Sequence, residues 1–139
     1  MSPVAIAGVA LGCGAVITDL RARTIPNYLS GGGLAAGLVC GIWTAGARGG
    51  LTALAGAAAG FALFFVWHWL GGLGGGDVKL MAAFGALLGP SDILIAAVLG
   101  AVAGAFLALA AAVWKPRVAA IPYAPAIVAG VWLVLLGRR

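Results

Sequence analysis

The chain of 139 residues is 64% hydrophobic and only 8% charged, and its formal net charge is +5. A soluble globular domain carries about 25% charged residues, so this composition excludes an ordinary soluble domain and indicates an integral membrane protein. The basic residues are scattered rather than grouped, which argues against nucleic-acid binding and favours contact with membrane lipid at the helix ends. Cys13 and Cys40 both lie in apolar runs and form no zinc-binding pattern. We predict a single all-α domain that covers residues 1–139.

Six apolar runs follow one another, and they predict six transmembrane helices in one compact bundle. The runs cover about residues 3–18, 28–45, 51–70, 78–88, 92–114 and 121–136. The fourth run is shorter than the roughly 20 residues that a membrane helix needs, so it is expected to begin inside the preceding glycine-rich loop. Residues 46–50 are predicted to form a turn, and Lys115-Pro116-Arg117 is predicted to break the helix before the last run.

Local signals predict where several helices begin and how they pack. Ser2 is a predicted N-cap of the first helix, Asn27 is expected to cap the second, and Asp92 is expected to cap the fifth or to lie in its first turn. Pro26 prevents the first helix from continuing. Glycines four residues apart let membrane helices approach closely, and such pairs occur at Gly8/Gly12, Gly33/Gly37, Gly37/Gly41, Gly56/Gly60 and Gly100/Gly104.

The predicted crossings place two acidic residues on one face of the membrane. Asp19 follows the first crossing and Asp77 the third, so both face the same side. The basic residues on that side are Arg21, Arg23, Lys79, Lys115 and Arg117, whereas Arg48, Arg138 and Arg139 lie on the other side. Because positive residues are enriched on the cytoplasmic side of membrane proteins, we predict a cytoplasmic aspartate face and an external N-terminus.

Two carboxylates at one membrane face suggest a catalytic pair. An acidic side chain close to the bilayer is expensive and tends to be functional, and this chain has only three such residues, Asp19, Asp77 and Asp92. Two close carboxylates share one proton, so one can activate a water as a base while the other polarises a peptide carbonyl as an acid. The glycines before Asp77 let a substrate backbone come close. The alternative is that Asp19 and Asp77 cap helices or form ion pairs with Arg21, Arg23 and Lys79.

Three motifs resemble those of the type IV prepilin peptidases. Gly74-Gly75-Gly76-Asp77, continued by Val78-Lys79-Leu80, fits the GxGD motif of that family. Asp19-x-Arg21-x-Arg23-x-Ile25-Pro26-Asn27 resembles its first aspartate motif. Ile121-Pro122-Tyr123-Ala124-Pro125-Ala126 resembles a late segment of the family, with Ala124 in place of the usual glycine. The motifs occur in the family's order, and the chain is most similar to the short, peptidase-only branch typified by CpaA and TadV.

The resemblance implies a membrane aspartic endopeptidase. Its substrates would be prepilins or pseudopilins, whose basic leader is cut at the cytoplasmic face of the cell (inner) membrane, just before the hydrophobic helix of the pilin. It implies Asp19 and Asp77 as the catalytic pair, no metal and no bound cofactor. Larger members carry paired Cys-x-x-Cys zinc ligands associated with N-methylation, which this chain lacks, so N-methyltransferase activity is not expected. The supporting motif residues are Gly74, Gly76, Lys79, Pro26 and Asn27.

Other residues near these motifs have more than one interpretation. Lys79 is expected to tune the pKa of Asp77, to bind a substrate carbonyl, or to place its charge at the membrane interface. Arg21 and Arg23 fit an anchor to anionic lipid headgroups. His68, between two tryptophans, fits an interfacial aromatic belt better than a catalytic base. By the resemblance, Tyr123 and its neighbouring prolines would shape the cleft.

The rival function is that of a non-enzymatic membrane protein. The glycine loop lacks the Gly-Lys-Ser/Thr of a nucleotide-binding loop. A presenilin-like protease also uses GxGD, but the motif around Asp19 favours prepilin processing. A small transporter or a pilus assembly factor whose aspartates carry protons is the remaining alternative. Because a transporter needs an acid that is reachable from both sides, two acids at one face argue against it.

Overall fold

The computed structural model describes residues 2–114 and 121–137, and every regular element in these two ranges is an α-helix. The helices are α1 (Pro3–Ala22), α2 (Asn27–Trp69), α3 (Gly75–Leu88), α4 (Pro90–Trp114) and α5 (Ala124–Gly137). Helices α1, α2 and α4 are long and apolar enough to cross a membrane, and α5 is a shorter apolar helix. The all-helical membrane architecture is therefore confirmed. Six crossings and the external N-terminus stay predictions, and Lys115, Pro116, Arg117, Arg138 and Arg139 lie outside the described residues.

Helix α2 contains the second and third predicted runs and is interrupted once. Ala45 and Gly46 leave the helical backbone region, and Gly46 has a φ of 56°, which glycine adopts without strain. A side chain added at Gly41 would meet the backbone of Gly49 and the side chain of Ala53. Because residues eight or more apart cannot touch along one straight helix, the chain reverses direction at this break. The predicted turn is thus shorter than expected, and α2 consists of two segments, 27–44 and 47–69.

Helix α1 continues four residues beyond its predicted end at Thr18. The leucine, arginine and alanine that follow Asp19 favour helix, and the helix ends at Arg23, whose left-handed backbone has a φ of 51°. The N–H of Arg23 donates to the carbonyl oxygen of Asp19 at 2.9 Å. Asp19 therefore lies in the last turn of a helix rather than in a loop.

The predicted helix starts have different outcomes. Ser2 caps α1, because its hydroxyl accepts a hydrogen bond from the N–H of Ala5 at 3.2 Å. Asp92 lies in the first turn of α4, as predicted. The prediction for Asn27 is wrong, since Pro26 is the N-cap of α2 and no side chain makes a capping bond there. Asn27 is already inside the helix, and its side chain has a partner on another helix.

Helix α3 lies at the centre of the fold. Its buried residues are Val78, Leu80, Met81, Ala83, Phe84, Gly85, Ala86, Leu87 and Leu88. Gly37, Gly56 and Gly60 of α2 approach it so closely that added side chains would meet its backbone. The helix-spaced glycines therefore pack helices together, as predicted. Since the protein surrounds α3, this helix can begin and end within the fold despite its short length.

The two ends of the bundle carry different acidic residues. At one end lie the end of α1, the loop 70–74 and the start of α5. At the other end, Gly89 packs on Thr52, which follows the break in α2. Asp92 comes three residues after Gly89 and therefore lies at the opposite end from Asp19 and Asp77, as the sequence predicts.

Candidate active site

Asp19 connects the first helix to the last. It is buried, with only 8% of its surface exposed, and its Oδ2 accepts a hydrogen bond from the backbone N–H of Ala124 at 3.2 Å. Ala124 is the first residue of α5, so its N–H has no acceptor within its own helix. The carboxylate satisfies this donor across 105 positions of sequence. The capping alternative is thus partly right for Asp19, although the capped helix is α5 and not a neighbour in sequence.

Helix α5 begins at Ala124 rather than at the predicted Ile121 because of two prolines. Pro122 holds the residue before it in an extended conformation, and Pro125 lacks an N–H at a first-turn position, where none is needed. The N–H groups of Ala126 and Ile127 donate to the carbonyl oxygen of Tyr123 at 3.1 and 3.2 Å, which leaves the N–H of Ala124 for Asp19. The Pro-x-x-Pro spacing was the only sequence signal for this arrangement.

Asp77 lies in the first turn of α3, whose N-cap is Gly74. The pKa of Asp77 is raised from 3.8 to about 6, chiefly by burial and to a lesser extent by the charge of Asp19, whereas a backbone hydrogen bond with Gly74 opposes the rise. Asp77 therefore keeps its proton at a higher pH than an ordinary aspartate.

Both aspartates border the same two adjoining cavities, which have volumes of about 240 Å³ and about 310 Å³. A water molecule occupies about 30 Å³ in the liquid, so each cavity has room for several waters or for part of a peptide. The residues common to both are Asp19, Arg23, Gly74 and Asp77. The first cavity is completed by Gly72, Leu73, Ile121, Pro122 and Tyr123, and the second by Thr24, Ile25, Gly75, Gly76 and Lys79. All three sequence motifs thus meet at one place.

Glycine is present at different positions before Asp77 for different structural reasons. A side chain on Gly76 would come within 3.2 Å of Ile25 Cβ, so glycine lets the loop after α1 pack against the start of α3. At Gly74 the nearest atom to an added side chain is Asp77 Oδ2, at an ordinary 3.6 Å. Gly71, with a φ of 82°, is the position in this loop whose backbone requires glycine.

Lys79, Asn27 and Pro26 join the starts of two helices beside the cavity. The Nζ of Lys79 donates to Asn27 Oδ1 at 2.8 Å. Pro26 supplies the carbonyl that accepts from the N–H of Leu29 at 3.1 Å at the start of α2. Lys79 also borders the larger cavity. It therefore has a defined partner, which none of its three sequence interpretations included.

An apolar groove of about 490 Å³ opens next to the aspartates. Leu63, Phe64 and Trp67 of α2 and Ala97, Val98 and Ala101 of α4 line it. Gly72, Leu73 and Tyr123 border both this groove and the smaller aspartate cavity. Tyr123 lies over Gly104, where any side chain would overlap its phenol ring. The phenol ring thus stands where the apolar groove meets the polar cavity.

His68 contacts the glycine-rich loop of the site, which the sequence did not predict. Its Nδ1 lies 2.7 Å from the carbonyl oxygen of Leu73, in the glycine-rich loop. The flanking Trp67 and Trp69 are 55% and 79% exposed, which agrees with an interfacial aromatic belt. The spacing of five residues between His68 and Leu73 is the one sequence signal for the contact.

Among residues 2–114 and 121–137, no group of three or more His, Cys, Asp or Glu side chains could hold a metal ion.

Comparison with known proteins agrees with the motifs. A family model described as the type IV leader peptidase family matches residues 6–109. The matched range contains both Asp19 and Asp77 and ends before the segment 121–126. No curated protein and no solved structure matches the chain.

Proposed function

Because the chain belongs to the type IV leader peptidase family, we propose that it is an aspartic endopeptidase that removes the basic leader of prepilins or pseudopilins. The family supports peptidase activity, a prepilin-type substrate and a place in the membrane. The observation that carries the aspartic mechanism is that Asp19 and Asp77, 58 positions apart, border the same cavities. The short peptidase-only branch, the inner membrane and the cytoplasmic orientation of the site are parts of the proposal.

The two carboxylates have different tasks in this mechanism. Asp77, whose pKa is raised to about 6, carries the proton that the pair shares. Oδ2 of Asp19 is occupied by the N–H of Ala124, so Oδ1 remains to accept a proton from a water. The hydroxide formed attacks the scissile carbonyl carbon, and Asp77 donates its proton to the carbonyl oxygen. Asp19 then gives its proton to the leaving nitrogen while Asp77 recovers one from the diol, and the C–N bond breaks.

The cavities suggest how the substrate lies. The apolar groove takes the start of the hydrophobic helix that follows the cut in this family's substrates. The scissile bond then lies at Tyr123, where groove and polar cavity meet. Arg23 and Lys79 border the polar side and repel positive charge, so the basic leader passes beyond them toward the lipid headgroups.

The direct test is leader cleavage of a co-expressed prepilin in membranes by wild type, Asp19→Asn, Asp77→Asn and Asp92→Asn. Asparagine is nearly isosteric but cannot act as the base, and at position 19 it still offers an acceptor to Ala124. We expect cleavage to disappear for the first two variants. Asp92→Asn is the matched control, since it makes the same change at the opposite end of the bundle. Full activity of either Asp19→Asn or Asp77→Asn would exclude the aspartic mechanism and favour the transporter or assembly factor.

A further inference from the structure

One peptide group lies between His68 and Asp77. Its carbonyl oxygen belongs to Leu73 and lies 2.7 Å from His68 Nδ1. Its N–H belongs to Gly74, and a side chain built on Gly74 would point within 3.6 Å of Asp77 Oδ2. Because a peptide group is planar, fixing the direction of its carbonyl also fixes the direction of its N–H. Gly74 is the N-cap of α3 and Asp77 is the third residue of that helix, a position from which a carboxylate can accept a hydrogen bond from the N-cap N–H. A backbone hydrogen bond with Gly74 accordingly lowers the pKa of Asp77, against the effect of burial. The imidazole and the carboxylate therefore lie at opposite ends of the same rigid unit.

The hydrogen bond determines which ring nitrogen of His68 carries a proton. A carbonyl oxygen only accepts hydrogen bonds, so Nδ1 is the donor and the neutral ring is unprotonated at Nε2. His68 lies in the last turn of α2, and its ring is tilted against that of Phe65 at a centroid distance of 6.4 Å. The donor is thus held by a helix and an aromatic neighbour.

The loop depends on a few bonds for its order. The N–H of Gly71 donates to the carbonyl of His68 and that of Gly72 to the carbonyl of Trp67, both at 2.9 Å. These bonds fix the first half of the loop. The bond from His68 fixes Leu73, the residue directly before the N-cap of α3. Glycine-rich backbone has much conformational freedom to lose on folding. The bond from His68 to the Leu73 carbonyl is therefore expected to determine how Gly74 is oriented next to Asp77.

We infer that His68 is a positioning residue for Asp77, acting through the Leu73–Gly74 peptide. By donating to the Leu73 carbonyl, it orients and polarises the Gly74 N–H toward the Asp77 carboxylate. It does not touch the substrate and is not a base. The inference rests on the proposed function, because Asp77 is the catalytic group that it serves.

Three substitutions at His68 separate a donor from a packing role. Phenylalanine keeps the ring next to Phe65 but removes the donor. Asparagine places an amide nitrogen close to the position of Nδ1, and glutamine places it close to that of Nε2. We expect His68→Phe and His68→Gln to lower the kcat of leader cleavage about tenfold with KM within about twofold, which is the scale of one lost hydrogen bond. His68→Asn is expected to restore kcat to within about twofold of wild type.

The pH profile gives a second readout. The charged and titratable groups that share the cavities with Asp77 are Asp19, Arg23, Lys79 and Tyr123, and all of them remain in the His68 variants. Loss of the oriented N–H removes an interaction that favours charged Asp77, so the pH limb of Asp77 is expected to move upward in His68→Phe and to return in His68→Asn. An unchanged kcat and pH limb in His68→Phe would overturn the inference, and so would equal losses in the phenylalanine and asparagine variants.

A measurement on the wild type covers the case in which a variant does not fold. The chain has a single histidine, so ¹⁵N-labelled histidine gives signals from His68 alone. We expect the neutral ring to carry its proton on Nδ1, and a neutral ring protonated at Nε2 alone would exclude the bond to Leu73. The outcomes also separate this inference from the proposed function. If wild type does not cleave, the proposed function fails, whereas cleavage by wild type with unchanged His68→Phe overturns only the role of His68.

Discussion

The two aspartates of the site are held in different ways. Asp19 lies in the last turn of a helix, is almost entirely buried and bonds to the backbone of α5. Asp77 follows a glycine-rich loop, is partly exposed, and lies where its pKa is raised. The comparison teaches that a carboxylate pair need not be symmetric: one member is also part of the framework, whereas the other depends on a loop for its position. The following variants test this difference.

The largest effects are expected from replacing each aspartate by alanine. Both Asp19→Ala and Asp77→Ala should lower cleavage by roughly 10³-fold or more, as for other essential catalytic groups. Only Asp19→Ala should also destabilise the fold, by about 1–3 kcal/mol, because it leaves the buried N–H of Ala124 without an acceptor. Thermal unfolding in detergent measures the difference, and Asp19→Asn is the control that keeps the acceptor. Equal stability of the two alanine variants would remove the framework role of Asp19.

The pH dependence should report Asp77. If its proton is needed, kcat/KM falls about tenfold per pH unit above about 6, since the free enzyme then loses that proton. The free energy of unfolding should also depend on pH. Because the pKa of Asp77 in the folded protein lies above its unfolded value of 3.8, the contribution of Asp77 to stability decreases as pH rises from about 4 to about 6. Asp77→Asn should lack this decrease. A cleavage rate that rises through pH 6 would instead make Asp77 the base.

A smaller effect is expected where Tyr123 joins the groove to the aspartate cavity. Gly104→Ala should displace the phenol ring and lower cleavage roughly tenfold, because misplaced groups at a site are costly in rate. Gly31→Ala is the matched control, since an added side chain there meets nothing within 4 Å. It should leave cleavage unchanged. A Gly104→Ala enzyme as active as Gly31→Ala would separate Tyr123 from the site.

The smallest effect is expected at the bond between Lys79 and Asn27. Both residues are exposed, and an exposed hydrogen bond contributes about 0.5–1.5 kcal/mol or less. A double-mutant cycle of Lys79→Met and Asn27→Ala, read by thermal unfolding, should give a coupling free energy within that range. A coupling of zero would show that the bond adds nothing to the start of α2.

The sequence predicted the position of the aspartates better than their environment. Counting crossings was enough to place Asp19 and Asp77 at one end and Asp92 at the other. The bond from Asp19 to Ala124 was beyond local rules, because it joins residues 105 positions apart. The prediction that Asn27 caps α2 was wrong for a related reason. Local propensity favours a cap there, but the side chain of Asn27 instead accepts a hydrogen bond from Lys79 on another helix. The turn within α2 was predicted at the right place, residues 46–50, but it is shorter than predicted, because only Ala45 and Gly46 leave the helical conformation.

The link between Asp19 and Ala124 also has a consequence for the order in which the molecule is built. Helix α1 is made first and α5 last, so a chain that is still growing can contain both aspartates before the wall formed by residues 121–123 exists. At that stage Oδ2 of Asp19 has not met its donor, and the smaller cavity lacks the lining that Ile121, Pro122 and Tyr123 supply. The complete site therefore arises only once residues 121–124 have been made and have packed against α1.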